Sequence, residues 1–171
     1  MKPWLSIFAV IGWVSSVNAQ APSANYQMPA KDVAPPNNLQ RICYAGADLS
    51  VVRARFLQQE LVVAVFHCVD ASGGRRFEQS YKAFLERFRD EFGQNARDLQ
   101  ELANRKRFNV EVFVTEIANR TAQRTVVDKE FCSRARQAFD WASSAQVKSL
   151  RQVPPPYDLG PEMNIFPCAS N

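Results

Sequence analysis

The chain is poor in the side chains on which most catalytic chemistry turns. It has one histidine, His67. That scarcity argues against a zinc site, and any Ser-His-Asp or Cys-His arrangement would have to use this single imidazole. It sits in an otherwise apolar run beside Cys68, where a packed or rim histidine is the expectation. The four cysteines, Cys43, Cys68, Cys132 and Cys168, include no C-x-x-C pair, so neither a cysteine metal knuckle nor covalent haem attachment is indicated. There is no phosphate-binding glycine loop. No apolar run reaches the ~20 residues that a membrane span needs.

The longest apolar run, Trp4 to Val14, follows Lys2 and precedes Val17 and Ala19. A positive start, a short apolar stretch and small residues before a cleavage point are the pattern of a secretory signal peptide. The expectation is a signal peptide over 1–19, cleavage before Gln20, and release without a transmembrane anchor into the periplasm or the medium. The full chain has 171 residues and a net charge of +4, mixed along its length. That balance, together with export, points away from nucleic acid and allows only weak attraction to anionic envelope polymers. An even number of cysteines in an oxidising compartment predicts two structural disulfides.

A flexible leader is expected over 20–42, a helical domain over 43–152 and a Pro-rich tail over 153–171, pinned through Cys168. Prolines at 154–156, 161 and 167 forbid regular helix in that tail. Four segments show helical spacing. The first, about Asp48 to Cys68, places Leu57, Leu61, Ala64, Val65 and Cys68 on one face; its stretch Leu61–Phe66 alone would also suit a buried strand. The second, about Arg76 to Asn104, carries the aromatic row Phe77, Tyr81, Phe84, Phe88 and Phe92, with Gly93 expected to mark a weak point or close packing. The third, about Val110 to Ala122, is read as a helix with Asn109 as its N-cap, although Phe108, Val110, Val112 and Val114 alternate as in a strand. The fourth opens on Thr125-Val126-Val127-Asp128, read as a capping box. Short connections then predict an all-α fold, a four-helix up-down bundle.

In such a bundle, Cys43 and Cys68 would lie ~30 Å apart along the first helix, far beyond the ~7 Å that a disulfide allows. Antiparallel packing instead pairs Cys68 with Cys132 and Cys43 with Cys168.

Three kinds of surface chemistry are readable. Carboxylate pairs, Glu86 with Asp90 and Glu111 with Glu116, would serve a small envelope hydrolase, with Glu86 or Glu111 as general acid. The aromatic row would line a groove for an apolar ligand between helices. Arg75, Arg76, Arg120 and Arg124 would gather at one end of the bundle as an anion-binding cluster. Thr115 and Asn119 are read as fixing helix register, and Asn119-Arg120-Thr121 matches a glycosylation sequon.

The segments Y-x-x-F-x-x-R-F (Tyr81 to Phe88), F-V-T-x-I-A-N (Phe113 to Asn119) and Phe131-Cys132 together resemble small secreted bacterial helical proteins. The resemblance implies a helical, disulfide-bearing fold and transfers no functional residue. With no nucleophile–base set, metal cluster or phosphate loop in the sequence, the function expected is a non-catalytic binding or accessory protein of the cell envelope, needing no cofactor and acting on an envelope protein or an anionic polymer. The hydrolase and the apolar-ligand carrier are the alternatives.

Overall fold

In the computed structural model, residues 41–152 and 160–169 are described. The expected signal peptide, nearly all of the leader, and residues 153–159 of the tail lie outside them. The chain is mostly helical. A short strand β1 (Ile42–Tyr44) leads into α1 (Gly46–His67), followed by α2 (Glu78–Arg87), α3 (Arg89–Lys106), α4 (Val110–Val127) and α5 (Phe131–Ser143). A 3-10 turn at Leu150–Gln152, a one-turn helix α6 (Gly160–Met163) and strand β2 (Ile165–Pro167) complete it.

Helix α1 organises the rest. Val52, Phe56, Leu57, Leu61 and Ala64 have no solvent exposure, and α2, α3, α4 and α5 all pack on it. A helix apolar around most of its circumference must be covered on most sides. Leu61–Phe66 continues this helix instead of forming a strand. The two sides of α1 feed two cores. Ala54, Leu57, Leu61 and Ala64 pack with Phe77, Phe84 and Phe88 and with Phe131, Ala135, Ala138 and Phe139 of α5. Val51, Val52 and Phe56 pack with Leu99 and Leu102 of α3, Phe113 and Ile117 of α4, and Met163 and Ile165.

Serving two cores breaks the second expected helix. The interruption falls at Phe88 (φ −110°, ψ 21°), not at Gly93. Phe88 still donates its N–H to the Phe84 carbonyl at 3.2 Å, so the chain bends without losing that bond. The bend sends Phe84 and Phe88 into the first core and Leu99 and Leu102 into the second. A Cβ at Gly93 would meet nothing closer than Arg97 Nη1 at 3.7 Å, so neither weakness nor close packing is needed there. The Arg87 guanidinium holds the end of α2, donating to the carbonyls of Ser144 (2.8 Å) and Val147 (2.6 Å).

Asn109 caps α4 as expected, accepting from the Val112 N–H at 2.9 Å. The capping box does not form. Helix α4 runs on to Val127, so Thr125 lies inside it, its hydroxyl donating to the Ala122 carbonyl at 2.7 Å. Asp128 ends α4 and accepts from the Glu130 N–H at 3.0 Å, the local turn that starts α5. Thr115 and Asn119 face solvent; the buried threonine of α4 is Thr121, which donates to the Ile117 carbonyl.

The two disulfides join Cys68 to Cys132 and Cys43 to Cys168, the pairs expected from the sequence. The sequence reading missed the strands. β1 and β2 pair in parallel, Ile42 opposite Ile165 and Tyr44 opposite Pro167. The tail also contains a helical turn at Gly160–Met163, which Pro161 tolerates because first-turn N–H groups have no intrahelical acceptor.

Candidate functional site

The Cys68–Cys132 bond joins the end of α1 to the start of α5, and the chain around it builds one pole of the molecule. After Cys68 a tight turn forms because Asp70 Oδ1 accepts from the Ser72 N–H (2.8 Å), the Ser72 hydroxyl (2.6 Å) and the Gly74 N–H (2.9 Å). These bonds, the Ser72 hydroxyl first, hold the Asp70 carboxyl below its usual range. Gly73, at φ +83°, supplies the left-handed residue that closes the turn. Val69 then bridges to Arg75, and the Arg76 N–H donates to the Cys68 carbonyl at 3.0 Å.

This turn carries Arg75 and Arg76 exposed on the surface. The Arg75 guanidinium lies 4.7 Å over the ring of Phe66, and Arg76 Nη2 donates to the Val69 carbonyl at 3.1 Å. Phe66 is 62% exposed and Val69 48%; at the end of α4, Val126 and Val127 are 83% and 76% exposed. His67 sits at the rim, its ring edge-on to Phe131 at 5.9 Å.

Arg120 and Arg124 do not join Arg75 and Arg76 on this surface. Both turn inward and hold carboxylates. Arg120 Nε donates to Glu116 Oε1 at 2.7 Å, one turn away. Arg124 forms an ion pair with Glu162, its Nε donating to Glu162 Oε2 at 3.1 Å. The anion cluster of the sequence reading is thus split: two arginines face outward and two are already neutralised.

The Arg124–Glu162 pair belongs to a largely buried charge cluster. Glu60, 1% exposed, projects from α1 toward the charges of Arg124 and Arg134. Burial pushes its carboxyl up to about 8, although both guanidinium groups pull it down. Arg134 in turn is paired with Asp128. The cluster therefore holds Glu60, Asp128 and Glu162 against Arg124 and Arg134. Among the described residues its charges balance when Glu60 keeps its proton, which is the state that burial favours. The sequence carried one sign of it: Glu60 falls on the apolar stripe of Leu57, Leu61 and Ala64. Glu162, in the proline-bearing tail, offered none.

The other expected sites are dispersed. Glu86, Asp90 and Glu111 are exposed, and Glu116 is engaged by Arg120. In the aromatic row Phe77, Phe84 and Phe88 are buried, while Tyr81 and Phe92 are half-buried. Phe84 touches Phe88, Phe92 and Phe139 with centroids 5.3–6.3 Å apart, so the row is a packed core. Two depressions of about 500 and 450 Å³ flank the α2–α3 bend. Charged groups dominate the first lining (Glu86, Arg87, Arg89, Asp90 and Glu91), which does not suit an apolar ligand; the second sets Leu85 and Phe92 among Gln58, Lys82, Glu86 and Arg89. Among the described residues no group of three or more His, Cys, Asp or Glu side chains could hold a metal ion, and no helix is long and apolar enough to cross a membrane.

No family model, curated protein or solved structure matches the chain.

Proposed function

We propose that this is a non-catalytic binding or accessory protein of the cell envelope, exported to the periplasm or the medium, that engages its partner through the pole around Cys68–Cys132. Two disulfides suit an oxidising extracellular compartment. The observation that carries the reading is the exposure of Phe66, Val69, Val126 and Val127 at that pole, with Arg75 stacked on Phe66. Scattered exposed apolar side chains are ordinary; several at one end, edged by cations, mark a surface built for contact. A frame in which helices alternate in direction about α1 would hold this pole rigid: Cys68–Cys132 ties the end of α1 to the start of α5, and Arg105 pairs with Asp48 at the opposite end. The exposure of Glu86 and Glu111 weighs against the hydrolase, since neither has the burial that makes a carboxylate a general acid near neutral pH.

The test is a photo-reactive phenylalanine analogue at Phe66, with a second protein carrying it at exposed Glu86. Irradiated in envelope extracts, the Phe66 probe should give a discrete adduct that disappears when Val126 and Val127 become serine. Equal labelling from both positions, or no discrete adduct from Phe66, would count against the pole.

A further inference from the structure

We infer that the segment Glu162–Cys168 is a redox-released clip: reduction of Cys43–Cys168 frees it, and Arg124 passes from Glu162 to Glu60 as it leaves.

The two disulfides differ in access. Cys43 is exposed and Cys168 partly so, whereas in the other bond Cys68 is 1% exposed and only Cys132 is partly accessible. Thiol–disulfide exchange needs an attacking thiolate to reach a sulfur, so the outer bond meets a reductant first. What remains after its loss is non-covalent. The β1–β2 ladder is three residues long on each side, and a two-stranded ladder is marginal alone. Met163 and Ile165 are the apolar anchors, buried against Val51, Val52 and Phe56. The Arg124–Glu162 pair adds little net hold, because desolvating both charges offsets much of their attraction.

Losing one partner of a buried ion pair is ordinarily costly, because the other charge is stranded. Here it is not stranded. The charge of Arg124 also acts on a second buried carboxyl, Glu60 of α1, on which Arg134 of α5, paired with Asp128, acts as well. With the clip docked, Glu162 holds Arg124 and Glu60 keeps its proton. As the clip departs and water enters, Glu60 releases that proton to solvent and takes over Arg124. The body thus has a balanced charge arrangement with the clip and another without it. Departure uncovers the edge of β1 and the apolar face of Tyr44, Val52 and Phe56.

The chemistry balances with a dithiol reductant of thioredoxin type. One of its thiolates attacks the sulfur of Cys43 or Cys168, the protein S–S bond breaks, and its second thiol resolves the mixed disulfide. Two electrons and two protons pass to Cys43 and Cys168, and the reductant leaves as a disulfide.

The folded, oxidised protein is equilibrated in graded dithiothreitol. Thiols are trapped by alkylation and mapped by mass, with hydrogen exchange read in parallel. Cys43 and Cys168 should be trapped at a reductant concentration about ten-fold below that needed for Cys68 and Cys132. The Cys168 amide, bonded to the Tyr44 carbonyl, should then exchange about ten-fold faster while α1 stays protected. Reduction of both bonds together with loss of α1 protection overturns the proposal, as does unchanged Cys168 exchange after reduction. Glu60→Gln cannot take over the arginine, so its clip should stay docked after reduction; full release in that variant overturns the transfer.

Discussion

Arg124 and Glu162 form an ion pair that joins α4 to α6 with 4% and 1% of their side chains exposed, and the carboxyl of Glu60 lies within the electrostatic reach of the same arginine. A guanidinium with two buried acids in its field is an unusual use of interior space, and it fixes how stability responds to pH and to substitution.

The first consequence concerns Glu60. Its carboxyl titrates at about 8 in the folded chain against 4.5 when free. The folded state therefore holds a proton that the unfolded state has lost, and stability falls as pH rises from about 4.5 to about 8. Glu60→Gln removes this dependence and should exceed the wild type by roughly 4 kcal/mol at pH 8. Denaturant unfolding at pH 5 and pH 8 measures it; a parallel decline in both proteins would refute the assignment.

Removing the arginine has the opposite effect. Arg124→Met strands Glu162 in the interior and should cost about 3–5 kcal/mol, whereas Glu162→Gln leaves Glu60 to balance Arg124 and should cost less than half of that. Equal losses in urea titrations would show that the two acids are not interchangeable.

The inner disulfide has a separate stake. Cys68–Cys132 spans 64 residues, so Cys68→Ala with Cys132→Ala should lose about 4 kcal/mol in the chain-entropy account. For a chain of this size that is a fall in Tm of about 10 °C, checked by calorimetry.

Phe84 is the hub of the aromatic core, in ring contact with Phe88, Phe92 and Phe139. Phe84→Ala should cost about 3–5 kcal/mol. Exposed Glu86→Gln and Glu111→Gln should each shift stability by less than about 0.5 kcal/mol.

The helical content and both cysteine pairings were legible because they rest on long-wavelength signals: apolar spacing over many turns, and the length of a rod that separates its own two cysteines. Phe88 shows where that legibility stops. Its spacing suits one continuous helix, and only the competition between two cores for the aromatic row and for Leu99 and Leu102 bends the chain there. Thr125–Asp128 failed for a related reason, since α4 gains helical bonds by running on through Val127 and leaves Asp128 to make the turn. The paired strands were invisible because three residues cannot show a period. The arginines were the least readable of all. Arg75 and Arg124 look alike in sequence, and only the position of Glu162, brought back from the far end of the chain, turns one inward.

Strands β1 and β2 run side by side in the same direction, with a covalent link across them. Tension applied to the chain before residue 43 and after residue 168 is therefore carried from one sulfur to the other. The helices between them feel no load, so an oxidised molecule tethered at both ends can be tugged without being unravelled.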